Sequence, residues 1–346
     1  MNDQNVRPRE RAVRLKDVAD DLGLSPATVS LVLNRSPVAD SIPRRTHERV
    51  FAAAERLNYR PNLLARSLRS QRTYSIGVLV PEISEGYAAG IMRGIEHHLS
   101  DKGYFYLLAS HRSRSDLLEE YLAVLQDRSV EGFILLASRL EQTPPLPAVA
   151  VSNHQHLPGV TNVVVDHDLA AKLALRHLTD LGHEDIAVFP GAPDNADAED
   201  RWRAIRETAP TLGIDIRPEL TIEISGEDYG GGFYKGGYAG ARKLIESGAR
   251  FTALFAFNDI SAIGAMRAFL DAGLRVPEDV SVVGFDDIQS AAFHNPGLTT
   301  VRQPLRKMGI IAASALLRRL AKEPDTVRTV TVEPQLIVRG TTAPPQ

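Results

Sequence analysis

The 346-residue sequence predicts a small all-α head followed by a two-lobed, doubly wound α/β core, and three observations lead there. One is a change of period. Before residue 72 apolar residues recur at helical spacing, whereas beyond Thr73 short apolar runs alternate with amphipathic stretches. Another is the division of charge: residues 1 to 72 hold 14 Lys+Arg against 8 Asp+Glu, a balance of +6, and the remainder carries −9. A basic head on an acidic body is the asymmetry expected where only one part must approach a polyanion, although a solvated basic face has the same signature. The last is that the strand and helix alternation runs once and then restarts near residue 166, which gives the core two halves.

Within the head, Leu15, Val18, Ala19 and Leu22, then Val29, Val32 and Leu33, lie at helical spacing on either side of Gly23-Leu24-Ser25. Two short helices around a tight turn follow. Ser25 can cap the second helix, and Pro26 stands at the first helical position, where its missing N–H costs nothing. A third helix, from Arg44 to Leu57, carries Val50, Phe51, Ala54 and Leu57 on one face. The next segment, NYRPNLLARSLRSQR (58–72), has Pro61 at a helix start and Arg66, Arg69 and Arg72 among small and apolar residues. A helix that short falls below the ~12 residues at which isolated helices become marginally stable, so it needs an external partner, and DNA is the candidate.

In the core, SIGVLVP (75–81), YFYLLAS (104–110) and GFILLAS (132–138) read as buried parallel strands, with helices near 88–101 and 116–127 between them. The second half opens with a helix over Leu169 to Leu181 and continues with strands IAVFPG (186–191), TALFAF (252–257) and VSVVGFDD (280–287). Two such halves bind ligands at strand carboxyl ends, commonly in the cleft between them.

Composition excludes several classes. With 43% hydrophobic and 24% charged residues the chain is that of a folded globular protein. The sequence contains no cysteine, which rules out disulfides, thiolate catalysis and cysteine-ligated zinc. The polar N-terminus MNDQNVRPRERAVRLKD and the lack of a long uncharged apolar run argue for a cytoplasmic protein, neither exported nor membrane-bound. GGGFYKGG (230–237) lacks both the G-x-G-x-x-G unit and the phosphate-loop ending, and reads as a flexible loop before a helix. His97 and His98, like His154 and His156, lack partners at metal-ligand spacing and read as solvated. No nucleophile elbow is present, so neither a catalytic residue, a metal nor a cofactor is expected.

Across LKDVADDLGLSPATVSLVLN (15–34), RLNYRPNLLARSLRS (56–70), FNDISAIGAM (257–266), GLRVPEDVSVVGFDD (273–287) and PGLTTVRQP (296–304), the sequence resembles the lactose-repressor (LacI/GalR) family, from Leu15 to Arg339. The resemblance implies a helix-turn-helix head over residues 1–60, a hinge helix and linker over 61–72, and a periplasmic-binding-protein-like core over 73–346. It divides the core into an N-lobe (73–165 and 295–325) and a C-lobe (166–294 and 326–340). The second head helix would enter the major groove, with family recognition positions falling on Pro26, Ala27 and Leu31 and with Asn34 at its end. Here the chain departs from better-known members, because Ala27 and Leu31 offer only thymine-methyl contacts. Ser25, Thr28 and Ser30 read as phosphate or capping contacts. In the hinge, Asn62, Ala65, Arg66 and Leu68 would meet DNA, Leu68 as the minor-groove wedge, unless it is a leucine buried at a domain junction.

The same resemblance carries effector-contacting positions onto Tyr87, Asn195, Asp197, Arg201, Asn258 and Asp286, all after strand carboxyl ends. For Arg201 and Asp286 an interlobe ion pair is the alternative, Asp259 is a candidate cap for its helix, and Trp202 reads as packing. The expected function is a repressor, dimeric on operator DNA, whose affinity is set by a small molecule, a carbohydrate by family habit. The competing reading is a solute-binding protein for a sugar transporter, which would need an export signal and no DNA-binding head.

Overall fold

A computed structural model of the chain describes residues 13–34, 37–59, 72–83, 86–153, 155, 157–191, 197–224, 232–323 and 328–346. It divides into two units, Met1–Thr73 and Tyr74–Gln346. Asn62, Ala65, Arg66, Leu68 and Asn195 lie outside the described residues, as do His154 and His156.

In the first unit α1 (Leu15–Leu22), α2 (Pro26–Leu33) and α3 (Arg44–Arg56) enclose a core of Val18, Ala19, Val29, Val32, Val50 and Ala53. The turn between α1 and α2 needs Gly23, whose φ of +65° is left-handed and would strain any residue with a Cβ. Ser25 Oγ then accepts the Thr28 amide at 3.0 Å, starting α2 where the sequence places it. On α3 one expectation fails: Phe51 is 41% exposed, and Ala53 fills the core position instead. The inward stripe runs through Val50, Ala53 and Leu57, three and four residues apart, which turns Phe51 outward.

The second unit runs β1 (Ser75–Val80), α4 (Gly86–Asp101), β2 (Phe105–Ser110), α5 (Ser115–Asp127), β3 (Phe133–Leu136), β4 (Ala148–Val151) and β5 (Val160–Val165). It continues with α6 (His167–Asp180), β6 (Ile186–Val188), α7 (Ala198–Thr208), α8 (Gly232–Ser247), β7 (Ala253–Phe255), α9 (Asp259–Asp271), β8 (Ser281–Asp286), α10 (Gln289–Phe293) and β9 (Thr299–Arg302). The chain closes with α11 (Leu305–Leu320), β10 (Thr329–Val332) and β11 (Gln335–Ile337). The first sheet has the order β10-β5-β4-β3-β1-β2 and is parallel throughout; the second is β11-β9-β8-β7-β6, with only β11 antiparallel. Strands β3, β4, β5 and β8 are buried along their whole length because helices cover both faces.

Strand pairing corrects the lobe boundaries read from sequence. β9 pairs with β8, so residues 299–302 belong to the second lobe, and β10 pairs with β5, so residues 329–332 belong to the first. The chain therefore crosses between lobes after Val165, after Arg302 and after Val332. TTVR and TVTV are both short, Thr-rich strands, and nothing local tells which distant edge each will join.

The glycine-rich segment also differs from its expected loop, since α8 begins at Gly232. A Cβ on Gly237 would lie 2.0 Å from the Ser261 carbonyl oxygen, and one on Gly264 would lie 2.0 Å from that of Tyr234. These glycines let α8 and α9 pack backbone against backbone. The first lobe repeats the device where Gly94 of α4 and Gly309 of α11 face the carbonyl oxygens of Arg306 and Ile91, each 2.1 Å from an added Cβ. In an open helix Gly→Ala stabilises by about 1 kcal/mol. Here Gly94→Ala is expected to reverse that sign and destabilise by ~1–3 kcal/mol through overpacking, measured by urea unfolding; a gain in stability would contradict the packing described.

Candidate functional site

On the head, Ser25, Pro26, Ala27 and Asn34 are exposed along α2, with Thr28 and Leu31 half-buried between them. The hydroxyls of Ser25 and Thr28 lie 2.8 Å apart within the helix cap. Ser30 points inward, 9% exposed, and receives Asn34 Nδ2 on both its carbonyl (2.8 Å) and its hydroxyl (3.2 Å). The outward polar chemistry of α2 is therefore sparse, concentrated at its two ends, with the Ala27 methyl between.

The second candidate region lies where the carboxyl ends of the two sheets meet. Tyr87, in the first turn of α4, donates its hydroxyl to Ser152 Oγ just past β4. Burial, then the charge of Asp197, then that of Asp286, hold its phenol well above the ordinary range; Arg201 and the Ser152 bond act in the opposite sense. Tyr87 and Ser152 belong to the first lobe, and Asp197, Arg201 and Asp286 to the second. The phenol thus faces the charged groups across the cleft.

Arg201, 4% exposed in the first turn of α7, is held from three directions. Its guanidinium carbon lies 3.7 Å from the Phe285 ring centre and 4.5 Å from that of Phe257, close enough for cation–π attraction. Nη1 donates to the Phe257 carbonyl, and Nη2 lies 3.5 Å from Asp197 Oδ2. Asp197 in turn has Oδ1 3.5 Å from His167 Nε2, on the crossover into the second lobe. Asp286 accepts Gln303 Nε2 at 2.7 Å, on the next crossover. Burial pushes its carboxyl up to about 7, with Arg201 and the Gln303 bond pulling the other way and Asp197 adding to the rise.

Asn258 is the cap of α9, its Oδ1 accepting the Ser261 amide at 2.8 Å. Asp259, the expected alternative cap, instead turns away from the helix end. It is fully buried, takes the Ile288 amide at 2.8 Å and bonds the Thr300 hydroxyl, and burial and the Asp286 charge raise its carboxyl well above the usual range. Among the described residues, Arg201 pairs with Asp197 of its own lobe and Asp286 bonds Gln303, and no ion pair from either residue reaches the first lobe. Trp202 packs at the edge of the core, as its sequence context suggests.

Sequence reasoning missed Ser138, Ser152, Asn153, His111, His167, Phe257, Phe285 and Gln303, although most follow strand ends and that signal was available. His111, 3% exposed, meets Ser138 Oγ at 2.9 Å; because that hydroxyl donates to the Leu136 carbonyl, the proton belongs on His111 Nε2. Burial pushes this imidazole down to about 4, so it is neutral. Non-glycine residues with positive φ gather at the same strand ends: Arg112, Ser113, Ala137, Ser152, Asp286 (+113°) and Asp287. Backbone strain of this kind persists where surrounding structure enforces it, commonly at binding sites. Among the described residues no group of three or more His, Asp or Glu side chains is arranged to hold a metal ion.

The Asp286 carboxyl gives a signed expectation. Its folded value of about 7 exceeds the ordinary 3.8, so between these limits the folded state binds more protons and stability falls as pH rises. Asp286→Asn should therefore flatten the decline in melting temperature between pH 5 and pH 8 and stabilise the chain at pH 8, by roughly 4 kcal/mol at most. An equal loss of stability at both pH values would show that the buried carboxylate is not destabilising.

Residues 14–62 match the family of bacterial regulatory proteins of the lacI type, and residues 175–342 match the periplasmic binding protein-like domain. The HTH-type transcriptional repressor PurR of Aliivibrio fischeri is 31% identical over 340 residues, covering 94% of this chain and 97% of that protein. The PurR of Photorhabdus laumondii is 32% identical over 334 residues, covering 94% and 95%. Among solved structures, a Lac repressor dimer bound to operator and the anti-inducer ONPF superposes with a TM-score of 0.83 at 26% identity, over 96% of this chain and 100% of that one. A complex of the transcriptional regulator CelR with cellobiose gives 0.70 at 29%, over 95% and 99%. With the head, the two-lobed core and near full-length similarity all in agreement, the chain belongs to the lacI family of bacterial regulatory proteins and is a DNA-binding transcription regulator governed by a small-molecule effector.

Proposed function

We propose that the chain is a cytoplasmic repressor without catalytic activity, acting as a homodimer whose hold on operator DNA is set by a neutral polyhydroxyl effector of the carbohydrate class. The observation that carries the effector reading is the facing of Tyr87 and Ser152 by Arg201, Asp197 and Asp286 across the cleft. Each charged group has hydrogen-bonding capacity suited to hydroxyls, and a guanidinium fixed between two phenyl rings loses little freedom when a ligand arrives. Cellobiose in the CelR structure and ribose in an Enterococcus faecium regulator, 28% identical with a TM-score of 0.69, support this ligand class. Asn195 and Asn258 complete the proposed contacts.

On DNA, α2 is proposed to enter the major groove with Pro26, Ala27 and Leu31 toward base edges, Asn34 at its far end, and Ser25, Thr28 and Ser30 supporting the helix and its phosphate contacts. Because Ala27 and Leu31 read at most a thymine methyl, a larger share of specificity falls to the hinge, where Asn62, Ala65 and Arg66 would contact the duplex and Leu68 would wedge a base step.

Two experiments test this reading. A chain beginning at Thr73 should keep effector binding and lose operator binding. The full chain should lose ~10³ to 10⁵-fold in operator affinity between ~50 and ~200 mM salt, as expected for ~6 to 10 neutralised phosphates; operator binding by the truncated chain would refute the head assignment. Arg201→Ala should abolish the change in operator affinity on adding effector while leaving effector-free DNA binding near wild type, and a normal response would place the pocket elsewhere.

A further inference from the structure

Gln303 is the first residue past β9, and β9 pairs with β8 so that Asp286 stands beside Arg302; the two residues therefore meet at the start of the second crossover. They are joined twice. The Gln303 backbone N–H donates to the Asp286 carbonyl oxygen at 3.3 Å, and Gln303 Nε2 donates to Asp286 Oδ1 at 2.7 Å. Asp286 has a backbone φ of +113°, a conformation that a residue with a Cβ keeps only where its surroundings enforce it. Both residues are buried.

One atom of this contact is left over. Gln303 Oε1 is enclosed and has no hydrogen-bond partner among the described residues. With no surface of its own, it must find its donor inside the protein, and buried acceptors are seldom left unmet. An ionised Asp286 offers only further acceptors, whereas its neutral acid carries one O–H. A carboxylic acid and a primary amide each hold a donor and an acceptor side by side, so together they can close a ring of two hydrogen bonds. The charged groups around Asp286 are engaged elsewhere: Arg201 of α7 with Asp197 and the Phe257 carbonyl, Asp287 with Arg302 and Arg339, and His167 of α6 with Asp197. Asp259 of α9 and Tyr87 of α4 bring no positive charge. Burial raises the Asp286 carboxyl to about 7, with Arg201 the largest opposing influence, so its proton comes and goes near neutral pH.

We propose that Gln303 is a positioning residue that closes an acid–amide pair with Asp286, in which Asp286 Oδ2–H donates to Gln303 Oε1 while Gln303 Nε2–H donates to Asp286 Oδ1. The second crossover is then fastened to β8 by two side-chain bonds while the proton is present. Once the proton leaves for solvent, one bond remains beside an unmet acceptor. Lobe arrangement thereby becomes sensitive to pH. That consequence for regulation rests on the cleft being the effector site; the pairing itself does not, and is tested without ligand or DNA.

The full chain is unfolded by urea at pH 5 and pH 8 in wild-type and Asp286→Asn backgrounds, each with and without Gln303→Met. Asn presents the donor and acceptor of a neutral acid at every pH and keeps the ring closed. In the wild-type background Gln303→Met is expected to lower the folding equilibrium constant about fivefold more at pH 5 than at pH 8, the worth of one hydrogen bond between neutral groups. In the Asp286→Asn background the loss should be the same at both. The Nε2 bond taken alone favours the carboxylate, so a larger loss at pH 8 would mean that the amide serves an ionised Asp286, and overturns the pairing. An equal loss at both pH values in the wild-type background, as an enclosed water serving Oε1 would give, overturns it too. Should Gln303→Met not fold, infrared difference spectra of wild type minus Asp286→Asn decide. The pair requires an acid C=O band at the lowered frequency of a hydrogen-bonded acid at pH 5, largely lost at pH 8; its absence, or a band at the frequency of a free acid, overturns the assignment.

Discussion

The cleft is organised around the cost of burying the Arg201 guanidinium at the carboxyl ends of the second sheet. An isolated buried charge is prohibitive, so the fold surrounds this one with compensation: two aromatic faces, a backbone carbonyl and the Asp197 carboxylate. Those demands explain why Phe257 and Phe285 stand at the ends of adjacent strands and why α7 begins at Asp197 and Ala198, one turn before Arg201. The same low dielectric that makes Arg201 costly keeps Asp286 and Asp259 from ionising freely. Burial raises both carboxyls, and the charge of Asp286 adds to the rise at Asp259 as that of Asp197 does at Asp286.

This arrangement bears on how a ligand is sensed. His167 and Gln303 sit on two of the three crossovers, and each touches one of the cleft carboxylates, Asp197 and Asp286 respectively. Any molecule that reorganises those carboxylates therefore pulls directly on the segments joining the lobes. Within each lobe the glycine-mediated helix pairs, α4 with α11 and α8 with α9, leave little slack because their backbones touch. Under the proposed function, internally stiff lobes joined by short crossovers would turn a change at the cleft edge into a change of lobe angle in preference to a local adjustment.

Much of the architecture was legible from the chain alone, because the signals that set it are local. Helical spacing, Gly23 and the Ser25-Pro26 start fix the head to within a residue or two. Buried parallel strands announce themselves as apolar runs, and the divided charge separates a basic head from an acidic core. The order of motif blocks from Leu15 to Arg339 points to the family, and it is that resemblance which singles out Tyr87, Asp197, Arg201, Asn258 and Asp286, all after strand carboxyl ends.

Tertiary structure decided whatever depended on residues far apart in sequence. Strands of four residues such as TTVR and TVTV carry no information about which sheet edge is vacant, so only pairing could assign β9 to the second lobe and β10 to the first. GGGFYKGG reads as a loop by composition, because glycine disfavours an isolated helix; the backbone of α9, brought up against α8, makes glycine the residue that fits. Asp259 follows a capping position, yet the Ile288 amide and the Thr300 hydroxyl, some thirty and forty residues away, draw its carboxylate off the helix end. The sequence determined which elements form and where their ends lie, since those depend on a few neighbouring side chains. Which ends face one another, and hence which carboxyl is raised by burial and which arginine is enclosed, was decided by packing, because solvation and charge depend on what surrounds a group in space.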